Sequence, residues 1–148
     1  MKPESIFDNS FIFHAYSYDQ YPKIENTLEL LKCAIYDFNA SHVIDQKSLF
    51  QALFAVFAPN ELFPGESSWD SMFDRIWHIV SSQPSQRVVI IVRSFDHLLF
   101  TSVQLTLEFL DVFHRLSRLL ERNPCWQEAR SITLRIILLG QAPSYHNE

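Results

Sequence analysis

The residues best placed to do chemistry lie in one short stretch, Phe63-Pro-Gly-Glu-Ser-Ser-Trp-Asp-Ser-Met-Phe-Asp-Arg-Ile-Trp77. If 69–80 is helical, Asp70 and Asp74 are i, i+4 and stand on one face. Two carboxylates one turn apart repel by roughly 0.2–0.5 kcal/mol in an isolated helix. Asp70 recovers part of this in the first turn, where the helix dipole favours anions. Such a pair can accept hydrogen bonds from Arg, Lys or protonated His. Trp69, Phe73 and Trp77 recur at i, i+4, i+8 beside it, and large aromatics next to charge are typical of binding hot spots. The preceding loop offers Phe63, Gly65 and Glu66, with the Pro-Gly pair able to bring backbone close to a partner. A solvated acidic face on a capped helix stays open as the plainer account, as does a pairing of Asp74 with His78 four residues on.

Other chemistries find little support in the sequence. Its only glycines, Gly65 and Gly140, cannot build a GxxxxGK[ST] or GxGxxG phosphate loop. There is no GxSxG elbow to activate a serine. Six histidines are scattered without HExxH or ligand spacing, so no metal and no cofactor is expected. Cys33 and Cys125 form no CxxC and are expected to be reduced thiols. One enzymatic arrangement stays nameable, His78 and Asp74 as an acid/base pair, but the expectation is a protein without catalysis or a small-molecule substrate. Twelve Lys and Arg against 17 Asp and Glu give a net charge of −5. That balance disfavours direct nucleic-acid binding and favours a basic protein partner. The N-terminus lacks the basic start and apolar core of a signal peptide, and no apolar run reaches the ~20 residues of a membrane span. A cytoplasmic location is the expectation.

The elements that must position the acidic stretch follow from periodicity. At 148 residues and 47% hydrophobic content the chain suits one domain with a sizeable core. Residues 10–16 are aromatic and branched and predict a short strand, followed by a polar stretch. Cys33–Phe38 predicts a second strand. Asp45 is placed to cap a helix whose stripe is Leu49, Phe50, Leu53, Phe54 and Phe57, ended by Pro59. Ser68 is placed to cap the helix at 69–80, with Met72, Ile76 and Val80 as its core stripe. The run 87–93, RVVIIVR, predicts a strand covered on both faces. A long helix is expected over 101–122, with Asp111 and Arg115 at i, i+4, and a last strand over 132–139. Strands alternating with helices predict an α/β domain with a mostly parallel, single-layer sheet of about three strands.

Taken with this order of elements, Trp69-Asp-Ser-Met-Phe-Asp74 resembles the Asp-Ala-Leu-x-Asp signature of the barstar family of ribonuclease inhibitors. The resemblance covers roughly 33–139 and leaves 1–30 as an N-terminal extension. It implies that Asp70 and Asp74 match an acidic pair that enters a ribonuclease active site. By the same resemblance, Phe73 matches an aromatic contact and Phe63, Pro64 and Gly65 the loop leading in. It further implies an immunity or antitoxin protein that blocks a basic ribonuclease toxin. Gly65 lies one position farther from Asp70 than in the usual pattern, and Ser67 or Ser68 stands where the family has Asn. Glu108 lies too deep in its helix to match a further acidic contact of the family. An interaction module for a basic protein without nuclease activity is the alternative.

Overall fold

A computed structural model describes residues 6–7, 11–65, 68–122 and 131–140. Four strands form one all-parallel sheet, in the order β1-β4-β3-β2. They are β1 (Phe13–Ser17), β2 (Ala34–Asn39), β3 (Arg87–Arg93) and β4 (Thr133–Gly140). The helices are α1 (Tyr21–Leu30), α2 (Gln46–Phe57), α3 (Trp69–Ser81), α4 (Phe95–Thr101) and α5 (Val103–Arg122). The strand expected over 10–16 is β1, and by pairing with β4 from Phe13↔Ile136 to Ser17↔Gly140 it brings the sheet to four strands among the described residues, where about three were expected.

Sheet position explains the side chains of each strand. β3 and β4 are central, and a central parallel strand is buried on both faces, which is why RVVIIVR shows no polar alternation. Val88, Ile90 and Val92 join Leu134, Ile136 and Leu138 in a core against α2, α3, α4 and α5. Val89, Ile91, Ile137 and Leu139 point the other way, onto Tyr21, Ile24 and Leu28 of α1, with Ile6 and Tyr16. β2, at the edge, is only half covered.

Helix ends are placed by capping chemistry. The Asp45 carboxylate accepts the Ser48 N–H at 2.8 Å, while Ser48 Oγ returns a contact to Asp45 N at 3.0 Å. That bond holds the exposed Asp45 carboxyl below its ordinary pKa. α2 ends at Phe57, two residues before Pro59, which cannot continue it. Ser68 Oγ accepts the Ser71 N–H at 3.2 Å and starts α3.

Two stretches differ from expectation. Residues 21–30, where a polar stretch through Asn26 and then leucines leading into β2 were expected, form α1, with Pro22 in the first turn, where a missing N–H costs nothing. Residues 13–30 are thereby built into the sheet as an edge strand and the cover of one face. The long helix expected over 101–122 begins at Val103, because the chain leaves α4 through an extended Ser102. That corner is bonded: Ser102 Oγ accepts the Leu105 N–H at 3.0 Å, and Thr106 Oγ1 donates to the Leu98 carbonyl at 3.1 Å. No helix among the described residues is long and apolar enough to cross a membrane.

Candidate partner-binding site

α3 sorts its side chains by face. Met72, Ile76 and Val80 are buried against the sheet. Trp69, Phe73 and Trp77 come next around the helix, half-buried along the seam with α5. Asp70, Asp74 and His78 form the solvent-exposed row. The two carboxylates therefore share one face, as their spacing predicts.

The aromatic row is tied down from α2 and α5. The Trp69 ring meets Phe50 edge-on at 4.8 Å between centroids. Its indole N–H donates to Glu108 Oε1 at 3.0 Å, and the Gln104 amide donates to Glu108 Oε2 at the same distance. These bonds, the Gln104 one first, hold the Glu108 carboxyl below its usual range, so it stays an anion next to Trp69. The Arg115 guanidinium lies over the Phe73 ring at 5.7 Å and pairs with Asp111 at 3.3 Å. Trp77 stands edge-on to His78 at 5.0 Å, and its buried indole N–H meets no acceptor among the described residues. All three aromatics thus pack on the core while leaving an edge at the surface.

In the loop before α3, Phe63 packs edge-on against Phe54 at 5.6 Å. Gly65 takes φ +95°, a conformation other residues resist, and no atom lies within 4 Å of where a Cβ would stand. Glycine serves backbone shape here rather than close approach within the chain. Glu66 lies outside the described residues.

A surface groove between α2 and α3 is lined by Phe54, Pro64, Ser71, Asp74, Arg75 and His78. Asp74 reaches it and Asp70 does not. Arg75 is neutralised by Glu61 at 2.7 Å, with its guanidinium over the Phe54 ring at 5.0 Å. Asp74 and His78 approach to 3.9 Å with both side chains mostly in solvent. Among the described residues no group of three His, Cys, Asp or Glu could hold a metal ion. What the arrangement offers is two exposed carboxyl groups on one ridge, beside aromatics packed on the core.

Of the residues singled out from sequence, Asp70 and Asp74 come together on the ridge. Trp69, Phe73 and Trp77 line its inner edge, and Phe63 and Gly65 form the approach. Sequence reasoning did not foresee the part of Glu108 in fixing Trp69. The two are 39 residues apart, and no local pattern could have joined them. No protein-family model matches the sequence, and no curated protein matches it.

Proposed function

We propose that this protein is a barstar-like inhibitor, an immunity or antitoxin protein that binds a basic ribonuclease toxin and covers its active site with α3. The observation that carries this reading is the exposed Asp70–Asp74 row on a helix whose aromatic neighbours are clamped to α2 and α5. A rigid anionic ridge spends little ordering entropy on binding. Its carboxylates take the place of substrate phosphates against the Arg, Lys and His of a nuclease, with charge-assisted hydrogen bonds as the anchor. The net charge of −5 speeds encounter with a basic partner and makes association salt-sensitive. The sequence motif and the order of elements across 34–140 support the same reading. On it the protein catalyses nothing, needs no cofactor and acts in the cytoplasm.

The test is a pull-down from the source cells at low and high salt, wild type beside the Asp70→Ala, Asp74→Ala double variant. A small basic nuclease retained by wild type, lost with the variant and weakened by salt is the expected result. Because both aspartates are exposed, the variant should melt with wild type while its affinity falls. A basic protein without nuclease activity, retained through the same residues, would replace inhibition with plain docking. Retention of the same proteins by both chains would move the binding face off α3.

A further inference from the structure

The corner between α4 and α5 exposes more apolar surface than any core requirement explains. Phe100 is 86% exposed, Val103 59% and Leu107 57%, with Leu99 at 40%. Val103, Leu107 and the half-buried Leu110 stand at i, i+4, i+7 on α5, forming a second stripe. The inward stripe of Leu105, Phe109, Val112, Phe113 and Leu116 is a separate one. The patch is held in shape by the Ser102 and Thr106 bonds of the corner. His97 adds to this, its Nε2 lying 3.1 Å from the Val43 carbonyl and tying α4 to the segment before α2. Ile44, the next residue after Val43, is itself 72% exposed.

Its rim is acidic. From Ser94 to His114 the sequence has three carboxylates and no Lys or Arg. Asp96 lies one turn before Phe100, Glu108 one turn after Gln104, and Asp111 one turn after Leu107. Asp111 is paired with Arg115, which is turned over Phe73, while Glu108 is bonded only by neutral donors and keeps its charge unbalanced. On the Ile44 side Asp45 and Lys47 offset each other.

We propose that the α4–α5 corner is a docking surface for an amphipathic helix whose apolar face is flanked by Lys or Arg. An exposed apolar stripe at helical spacing accepts the apolar face of such a helix, and the carboxylate rim selects its basic flanks. This surface is distinct from the acidic row of α3 and adjoins it through the Trp69–Glu108 bond. It stands on the patch and its rim alone, so it can fail or hold independently of the inhibitor reading.

The probe is a synthetic 18-residue Leu/Lys peptide with Leu at helical i, i+3, i+4, i+7 spacing, set against the same peptide with Glu for Lys. Fluorescence anisotropy with the full chain should show the Lys peptide binding and the Glu peptide at least tenfold weaker. The Phe100→Ser, Leu107→Ser variant should lose at least tenfold, and Leu30→Ser, equally exposed but on α1 across the sheet, should bind as wild type. Both positions of the double serine variant are exposed, so thermal melts should coincide. Amide shifts on wild type should cluster at 96–111 as a reading free of any variant. Equal binding of the two peptides, or unchanged binding by the double serine variant, would overturn the proposal. A dimer in sedimentation velocity that Phe100→Ser abolishes would give the surface to a second copy of this chain and overturn it as well.

Discussion

On the face covered by α2, α3, α4 and α5, β3 and β4 contribute only aliphatic side chains to the core. On the face covered by α1, the same strands carry Arg87, Arg93 and Arg135 among Val89, Ile91, Ile137 and Leu139. Each arginine there has a partner suited to its depth. Arg87 lies over the Phe7 ring at 5.5 Å. Arg93 forks onto Asp37 at 2.8 and 3.0 Å, which holds its proton more tightly, and lies over Tyr21. Arg135, almost wholly buried, donates to the carbonyls of Ile6 at 2.8 Å and Leu134 at 2.9 Å and meets Glu121 at 3.3 Å. Under a layer four helices wide the strand side chains are apolar, and the polar bonds of that face run within and between the helices, as from Thr106 to Leu98. A single ten-residue helix leaves strand ends near solvent, and charged groups close the gap provided each is bonded.

The comparison can be broken most severely on the thick face. Leu116→Ala truncates a side chain only 1% exposed and should cost about 2–5 kcal/mol in urea denaturation through the cavity it leaves. A cost below 1 kcal/mol would mean that this face is loosely packed. On the thin face, Arg135→Met keeps bulk but orphans the Ile6 carbonyl, and about 1–3 kcal/mol should be lost. Hydrogen exchange of the β1 and β4 amides should report that loss before those of β2.

His14 sharpens the contrast through pH. Burial pushes its imidazole below the usual pKa, its bond to the Phe11 carbonyl opposes this, and the Arg135 charge adds to the lowering. The folded state then binds the proton more weakly than the unfolded chain. Stability from His14 is therefore complete above the unfolded value near 6.5 and falls as pH drops from there through the lower folded value. Urea midpoints at pH 7.5 and 5 should separate for wild type, and His14→Gln should narrow the separation. The smallest effect belongs to a helix end. Ser68→Ala should cost about 1 kcal/mol by thermal melt, as capping losses do, while leaving the Asp70–Asp74 row in place.

How much of this was legible in the sequence depended on whether the deciding interaction was local. Asp45, Ser68 and Pro59 act within four residues of themselves, so the bounds of α2 and the start of α3 could be read directly. The β-branched run at 87–93 declared a two-sided strand at its observed limits. α1 was hidden because only Tyr21, Ile24 and Leu28 mark its buried side and Pro22 reads as a breaker unless it is placed in a first turn. The Ser102 corner was hidden because apolar periodicity runs on across it. At the candidate site the spacing of Asp70 and Asp74 was visible, and so was the aromatic row. Their support was not, since Glu108, Gln104 and Arg115 reach α3 from an element far along the chain.

The pairing of β1 with β4 also constrains how the fold is reached. Residues 13–17 leave the ribosome with almost the whole of this sequence still to come before Ile136–Gly140 appears beside them. Until then β1 has no template, and α1 has neither Ile137 nor Leu139 to cover. Closing that contact late is a slow, non-local step, and meanwhile an aromatic strand stays open to wrong partners. Of the four described strands, the earliest in the chain is the last that can find its place.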